Sequence, residues 1–272
     1  MNTEKICFIG SGNMTRSIVS GLVKSGYQPN LITTTNPSIG KLEAMKADFN
    51  VNISQDNLQP AVNADVIVLG VKPQMMQMVC QQLQQIDLSD KLVITIAAGI
   101  PSHRYQDYFN QAVALIRTMP NTPTQIGAGV TGIYAPDNIT EQQQQFCQLI
   151  MKTGGEVVWV DDESKLNQVI ALAGSSPAYF FLFMEAMMQV GESMNMPKEQ
   201  VRLMVQQAAL GAAEMVKQNP ELTAEQLRKN VTSKGGTTAQ AVETFENGGL
   251  RDLVDSAMKN CIKRAEEMEK LL

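Results

Sequence analysis

The chain has 272 residues, a formal net charge of −5 at pH 7 and a hydrophobic content of 44%. This balance is typical of a globular protein, and the length suffices for two domains of ordinary size. No run of Lys or Arg is long enough to follow a phosphate backbone, so nucleic acid is excluded as an expected partner.

The four cysteines lie far apart, at positions 7, 80, 147 and 261, without C-x-x-C or Cys/His spacing. We therefore expect no metal site and no disulfide framework, and reduced thiols are typical of a cytoplasmic protein. The polar stretch from Met1 to Lys5 is expected to lead into the first strand without a signal peptide. The longest uncharged run, Leu166 to Met184, contains Gly174 and Pro177. It predicts two deeply buried segments that meet at a loop, not a membrane span.

A strand, a glycine turn and a helix start follow one another near the N-terminus. The apolar run Ile6 to Ile9 predicts a buried strand, Gly10 and Gly12 come next, and a helical pattern begins at Thr15. In dinucleotide-binding folds the first glycine permits the tight turn and the second lets the pyrophosphate approach the backbone. The N–H groups of the helix start then face the phosphates. Thr15 replaces the third glycine, which loosens the pattern without breaking it.

Apolar stretches of strand length recur through the first part of the chain and predict a mainly parallel sheet. They are Ile6–Ile9, Leu31–Thr35, Asp65–Gly70, Leu92–Ala97, Ala112–Ile116, Val130–Tyr134 and Glu156–Val160. Ligands of open α/β sheets bind at the carboxyl ends of the strands. The turn that begins at Val71 is therefore expected to lie at a site.

The second strand is followed by Asn36, Pro37 and Ser38, where such folds contact the adenosine ribose. An acidic residue at this place would favour NAD, and none is present. Its absence modestly favours NADP, while an ordinary Asn-Pro turn explains the same residues and is compatible with that function.

After Val160 the pattern predicts helices only. They are Val169–Leu172, Tyr179–Met194, Lys198–Lys217, Ala224–Lys229 and Gly249–Leu272. We therefore predict a dinucleotide-binding domain at 1–160 and an all-helical domain at 161–272. The helix from Tyr179 is apolar on most sides and has to be buried all round, for which a small domain has little room. A dimer built on the C-terminal domain would bury it.

Two glycines among hydroxyl residues occur at Val231–Thr238, ahead of a helix expected to begin near Ala239. Backbone N–H groups in such a loop suit a carboxylate, and the hydroxyls suit a small polar ligand. The alternative is a helix cap made by Thr237 or Thr238. A cap needs only one hydroxyl, so the density of Ser and Thr favours the ligand.

Six stretches in the expected order resemble the pyrroline-5-carboxylate reductase family, which performs the last step of proline biosynthesis. They are Phe8–Met14, Val71–Gln74, Ala98–Ile100, Arg117–Pro123, Gly174–Tyr179 and Thr232–Thr238. The resemblance implies an α/β fold, with an N-terminal Rossmann-like dinucleotide-binding domain and an all-α C-terminal dimerisation domain. It implies an NAD(P)H-dependent cytoplasmic oxidoreductase that reduces 1-pyrroline-5-carboxylate to L-proline. NADPH is the expected cofactor, with NADH as an alternative. The expected assembly is a homodimer, with a ring of dimers as an alternative.

The resemblance also implies the site residues. The cofactor-binding residues would be Ile9, Gly10, Ser11, Gly12, Asn13, Met14, Asn36, Asn57, Val71, Lys72, Pro73, Ala97 and Ala98. The substrate-binding residues would be Ser233, Gly235, Gly236, Thr237 and Thr238. The substrate carboxylate would meet the backbone of this loop, and the Thr238 hydroxyl would act as the catalytic group facing the ring nitrogen. The loop is expected to come from the partner subunit, because the family's site lies at the dimer seam.

Three residues depart from the family pattern. Ser176 replaces the second glycine of Gly-Ser-Gly-Pro-Ala-Tyr, and Lys234 replaces a proline before the paired glycines. Pro37 stands where the family often has an arginine, which weakens the preference for NADP because an arginine would pair with the 2′-phosphate.

Two other functions stay open. One is a non-catalytic NAD(P)-binding paralogue that lost activity through Ser176 and Lys234. The other is a β-hydroxyacid-type dehydrogenase, whose catalytic lysine is followed four residues later by asparagine. Val169 lies at that offset from Lys165, so this second pattern fails.

Overall fold

The computed structural model describes residues 3–271. The chain forms two compact units, of which the first holds the chain up to Ser175 together with the segment from Cys261, and the second holds Ser176–Asn260. A mainly parallel α/β sheet is followed by helices, so the predicted fold class is confirmed. The domain limits 1–160 and 161–272 stay a prediction.

One eight-stranded sheet forms the centre of the first unit. Its strands are β1 (Ile6–Ile9), β2 (Ile32–Thr35), β3 (Asn52–Ser54), β4 (Val66–Leu69), β5 (Leu92–Thr95), β6 (Ala114–Pro120), β7 (Gly129–Tyr134) and β8 (Gly155–Trp159). Their order in space is β3-β2-β1-β4-β5-β6-β7-β8, and only β6 and β7 are antiparallel. The order reverses between β1 and β4, and ligands of open α/β sheets bind at such a switch point.

Each of the seven predicted strands is present, and the structure adds β3 at the sheet edge. β3 has three residues and no apolar run, so its pairing with β2 defines it as a strand. β6 continues to Pro120, four residues beyond the predicted end at Ile116, because its last residues pair with β7.

Helices cover both faces of the sheet. They are α1 (Asn13–Lys24), α2 (Ile39–Phe49), α3 (Leu58–Asn63), α4 (Pro73–Leu83), α5 (Ser102–Phe109) and α6 (Glu141–Lys152). Ile6 and Phe8 of β1 belong to one buried cluster, and Cys7 and Ile9 belong to the other. Because successive side chains of a strand point to opposite faces, covering both faces requires the uninterrupted apolar runs seen in the sequence.

The first unit also contains α7 (Lys165–Val169) and a π-helical segment, Ile170–Gly174, and the second unit begins at α8 (Ser176–Ser193). The prediction of a loop within 166–184 was wrong, because only a bend at Ser175 separates the helical segments. The predicted deep burial is provided by this chain for Leu166 and Ala171, but not for the large apolar side chains of α8. The side chains of Phe180, Phe181 and Leu182 are 61–66% exposed.

The remaining helices are α9 (Lys198–Gln218), α10 (Ala224–Asn230), α11 (Thr237–Asn247) and α12 (Leu250–Leu271). The last turns of α12, from Cys261, belong to the first unit. By length and composition alone, the stretch Lys165–Ser193 could cross a membrane, with a mean hydropathy of 1.4. One such stretch is weak evidence for a span.

Candidate active site

The turn after β1 is built for close backbone approach. Gly10 has φ +99°, a conformation that glycine adopts without strain. A Cβ atom at Gly10 would lie 2.7 Å from the carbonyl oxygen of Gly70 and 2.9 Å from Cγ1 of Val71. The Gly10 N–H donates to the Thr35 carbonyl at 2.9 Å, and the Gly70 N–H donates to the Ile9 carbonyl at 2.8 Å. The carboxyl ends of β1, β2 and β4 therefore meet at Gly10.

The start of α1 faces the same edge of the sheet. Its N-cap is Gly12, which provides no side-chain capping bond. Ser11 is buried and its Oγ donates to the Thr35 carbonyl at 3.2 Å, whereas Asn13 is exposed. The first N–H groups of a helix lack intrahelical partners and favour an anion. The turn at Gly10 leaves a space that a Cβ atom would fill, and the adjoining start of α1 has no side-chain cap. Together these two features fit a dinucleotide pyrophosphate.

Gly70 explains how the chain tolerates Thr15 in place of the third glycine. Thr15 is buried, and a Cβ atom at Gly70 would lie 2.3 Å from its Oγ1. The third glycine normally permits close packing of helix on strand. Here the residue without a side chain is Gly70, directly after strand β4, and Thr15 of helix α1 packs against it. The glycine pattern at 10–15 contains Thr15 but not Gly70, so it does not reveal this compensation.

Asn36 and Asn57 lie at the carboxyl ends of β2 and β3. The Asn36 N–H donates to the Ser54 carbonyl at 3.3 Å. Asn57 accepts from the Thr35 hydroxyl at 2.5 Å and donates to Gln82 Oε1 at 3.1 Å. The structure therefore brings both predicted residues to the edge that holds Gly10.

Gln55 is a residue that the sequence reasoning missed at this edge. Its Nε2 donates to the Pro37 carbonyl at 2.8 Å and holds the turn after β2. Sequence provides no signal for this bond, because a glutamine in a polar stretch is typical of a solvated surface. The Asn36-Pro37 turn is thus fixed from the neighbouring strand, without a carboxylate or guanidinium of its own.

Val71, Lys72 and Pro73 form the turn from β4 into α4, with Lys72 as N-cap and no side-chain capping bond. Ala97 and Ala98 follow β5, and Ala97 is buried. Both groups thus lie at the carboxyl edge, beyond neighbouring strands.

Buried hydroxyls fix the end of β5 before Ala97. The Thr95 hydroxyl lies 2.6 Å from the Tyr105 hydroxyl and accepts from the Ala97 N–H at 3.3 Å. Thr118 Oγ1 donates to the Thr95 carbonyl at 2.9 Å. Desolvation by burial is the main cause that raises the pKa of Tyr105, so this phenol stays neutral. The sequence reasoning gave these three residues no role, although Thr118 lies in the stretch Arg117–Pro123 that carries the resemblance. A polar Thr at the end of an apolar strand was the available signal.

The five predicted substrate-loop residues lie together in the second unit, in the turn after α10 and in the first two residues of α11. Helix α11 begins at Thr237, two residues before the expected start, and its N-cap is Gly236 without a side-chain capping bond. The alternative of a cap made by Thr237 or Thr238 is therefore wrong. Ser233, Thr237 and Thr238 are exposed, so their hydroxyls are accessible on this unit.

Glycine geometry shapes this loop. Gly235 has φ +76°, and a Cβ atom at Gly236 would lie 2.6 Å from the Ser233 Oγ. The Gly236 N–H donates to the Ser233 carbonyl at 3.0 Å. Thr232 Oγ1 donates to the Arg228 carbonyl at 2.6 Å and ties the loop to α10. The result is a tight turn that presents hydroxyls at the start of an 11-residue helix.

Two family models match the chain. Residues 163–268 match the pyrroline-5-carboxylate reductase dimerisation model, and residues 5–99 match the model of NADP oxidoreductase, coenzyme F420-dependent. The chain is 53% identical over 271 residues to a pyrroline-5-carboxylate reductase from Vibrio alginolyticus, covering 100% of both chains.

Solved structures extend the likeness to the whole fold. A pyrroline-5-carboxylate reductase from Coxiella burnetii has a TM-score of 0.92 and 43% identity, covering 98% of this chain and 99% of that one. The pyrroline carboxylate reductase from Plasmodium falciparum, solved with NADP bound, has a TM-score of 0.88 and 25% identity, covering 99% of both. The chain belongs to the pyrroline-5-carboxylate reductase family.

Proposed function

We propose that this chain reduces 1-pyrroline-5-carboxylate to L-proline with NAD(P)H, the last step of proline biosynthesis. The observation that carries the proposal is the combination, in a chain of this family, of a dinucleotide cradle at Gly10 with an accessible glycine–hydroxyl loop at 233–238. The first fits the cofactor phosphates, and the second fits a small carboxylate. The domain limits 1–160 and 161–272 belong to the same proposal.

The cofactor residues are proposed from the sequence resemblance and from the geometry of the sheet edge. Ile9 to Met14 would hold the phosphates, Asn36 and Asn57 the ribose end, and the residues after β4 and β5 the nicotinamide side. Both NADPH and NADH are expected to bind, because the Asn36-Pro37 turn carries neither the carboxylate that selects NAD nor the arginine that selects NADP. We expect NADPH to be preferred modestly.

The loop at 233–238 is proposed to bind the substrate carboxylate through its backbone N–H groups. Lys234 adds a positive charge that would help to hold this group. The Thr238 hydroxyl would face the ring nitrogen, and we propose that the loop acts in the site of the partner subunit.

The proposed cofactor residues would hold NAD(P)H, which when bound would supply a hydride for the carbon of the cyclic C=N bond. The chain's own part is to align the ring, and alignment of two reactants contributes about 7–11 kcal/mol to lowering a barrier. The Thr238 hydroxyl, or a water that it holds, would stabilise the amine as it forms. The proton could come from bulk solvent, since the sequence reasoning identifies no other donor.

A homodimer is proposed because α8 presents large apolar side chains that its own chain leaves exposed. Phe181 is 61% exposed, and burying such a side chain contributes about 1.5–3 kcal/mol. We expect the protein to sediment as a dimer, or as a ring of dimers, at micromolar concentration. Phe181→Glu should shift it toward monomer in analytical ultracentrifugation.

Ile126→Glu is the matched control for this prediction. Ile126 is 81% exposed in the first unit, and its replacement should leave the sedimentation coefficient unchanged. A stable wild-type monomer, or equal behaviour of the two variants, would contradict the proposed interface.

A cytoplasmic protein without membrane or nucleic-acid partners is proposed from the cysteines and the charge. Cys7, Cys80 and Cys147 are buried, and burial raises the pKa of the Cys7 and Cys80 thiols to about 12. These thiols stay protonated and inert at neutral pH.

Initial-rate assays of NADPH and NADH oxidation test the proposed activity. The wild-type protein should consume both cofactors with 1-pyrroline-5-carboxylate, and proline should be the product. Turnover with a panel of hydroxyacids in its place would support the β-hydroxyacid-type alternative. Cofactor binding without any turnover would support the non-catalytic paralogue.

A further inference from the structure

Arg117 is a buried charged side chain of the first unit that is not among the cofactor and substrate residues described above. Its side chain is 4% exposed, and its register neighbours on the adjacent strands, Thr95 and Tyr134, carry no charge that could balance it. A buried guanidinium requires charged or hydrogen-bonding partners, because an unpaired charge in the interior is strongly unfavourable. The partners of Arg117 therefore indicate what it does.

Two carboxylates contact Arg117 from different parts of the chain. Its Nη1 donates to Glu163 Oε1 at 2.6 Å, and its Nη2 lies 3.7 Å from Glu269 Oε1. The Ser102 N–H and Oγ also donate to Glu163 Oε1, each at 2.7 Å. Asn167 Nδ2 donates to Glu269 Oε2 at 3.2 Å. One residue of β6 thus connects the start of α5, the turn before α7 and the end of α12.

Glu163 is the anionic partner in the centre of this cluster. Burial works to raise its pKa, but the bonds from Arg117 and Ser102 outweigh burial and hold the pKa below its ordinary value of 4.5. Glu163 is therefore ionised at neutral pH, and the cluster contains a true ion pair.

Alternate residues of β6 face the same segment of chain. Besides Arg117, the Met119 side chain packs so close to Gly174 that a Cβ there would lie 3.2 Å from it. Asn121, just beyond β6, donates through Nδ2 to the Ala173 carbonyl at 3.0 Å. Since side chains of a strand alternate between its faces, positions 117, 119 and 121 form one row. This row holds residues 163–174, the last part of the first unit before the chain enters the second.

The chain passes between the units twice, after Ser175 and after Asn260. Glu163 and Asn167 lie shortly before the first crossing, and Glu269 lies shortly after the second. We propose that Arg117 is a positioning residue that clamps both connections of the helical unit through Glu163 and Glu269. Because α12 is one continuous helix from Leu250 to Leu271, fixing its last turns restrains the part that belongs to the second unit.

The consequence for catalysis rests on the proposed function. A clamp on both connections of the second unit, which carries the substrate loop, should affect reaction with the imine without affecting cofactor binding, because the cofactor residues lie in the first unit. A small misplacement of reacting groups lowers a rate by up to about 100-fold. Glu269→Gln, which removes the charge and preserves the shape, should lower kcat/KM for 1-pyrroline-5-carboxylate by on the order of 10-fold. Its dissociation constant for NADPH should be within about twofold of wild type.

Glu267→Gln is the matched control on the same helix. Glu267 pairs at 2.9 Å with Arg264, and both side chains are well exposed, so little should change. Glu269→Asp, which restores the charge, should recover part of the lost kcat/KM. Equal kcat/KM values for Glu269→Gln and Glu267→Gln would overturn the proposal, as would an equal loss of NADPH affinity.

Amide hydrogen exchange provides a readout that does not depend on turnover. In Glu269→Gln, and in Glu163→Gln as a second variant, the amides of residues 261–271 should exchange faster than in Glu267→Gln. Unchanged exchange in both variants would overturn the clamp even if activity fell. If the wild-type protein showed no turnover, the proposed function would fail, and exchange would still support or overturn the clamp.

Discussion

Gly10→Ala is expected to lower the stability of the protein and to weaken NADPH binding on the order of 100-fold. The new methyl group would lie 2.7–2.9 Å from the backbone of Gly70 and the side chain of Val71, with φ at +99°. Backbone strain of this kind costs about 1–3 kcal/mol, and overpacking costs about the same again. The loss of unfolding free energy should therefore be about 2–6 kcal/mol. Relieving the overlap would move β1 or β4 at the point where the phosphates are proposed to lie.

Gly26→Ala is a control that separates the effect of backbone strain from the effect of steric overlap. Gly26 also has a positive φ, of +91°, but a Cβ there would meet no atom within 4 Å. It lies in the turn after α1, away from the proposed phosphate site. This control should lose about 1–3 kcal/mol of stability through strain alone, with an unchanged affinity for NADPH.

Denaturant unfolding and titration with NADPH measure the two effects. If Gly10→Ala bound NADPH as tightly as Gly26→Ala, the Gly10 turn would not be the phosphate site. If both variants lost stability equally, the close approach between Gly10 and Gly70 would carry no energetic weight.

Much of the fold could be predicted because its signals are local. The turn at Gly10 and Gly12 follows directly from the strand before it, and the apolar runs follow from burial of the sheet on both faces. β3 could not be predicted, because Asn52–Ser54 has no apolar run and is a strand only through its pairing with β2.

The candidate site also combines features that the local sequence predicts with features that only the tertiary fold determines. The loop at 233–238 could be found from its density of glycine and hydroxyl residues, but the start of α11 at Thr237 could not, because Gly236 is a cap without a side-chain signal. Thr15 and Gly70 compensate for one another across two elements that a linear pattern does not connect. Arg117 belongs to a motif that the resemblance used, yet its partner Glu163 is 46 residues away. Contacts of this range are set by the tertiary fold.

Thr238→Ala is expected to lower kcat with 1-pyrroline-5-carboxylate by about 10-fold to 100-fold. A hydrogen bond to a charged group contributes about 1.5–3 kcal/mol, and each 1.4 kcal/mol, approximately, changes a rate tenfold. The variant removes the hydroxyl proposed to stabilise the amine as it forms. NADPH affinity should stay unchanged, because the proposed cofactor residues all lie in the first unit and Thr238 lies in the second.

Thr244→Ala is the matched control for this prediction. Thr244 lies on the same helix α11, is exposed, and its hydroxyl donates to the Gln240 carbonyl at 2.9 Å. Thr238→Ser retains a hydroxyl and should recover most of the rate. Steady-state kinetics with saturating NADPH, together with direct titration of the cofactor, separates turnover from binding. A kcat of Thr238→Ala equal to that of Thr244→Ala would remove the Thr238 hydroxyl from the reaction. A parallel loss of NADPH affinity would instead mean that the substitution acts on the fold.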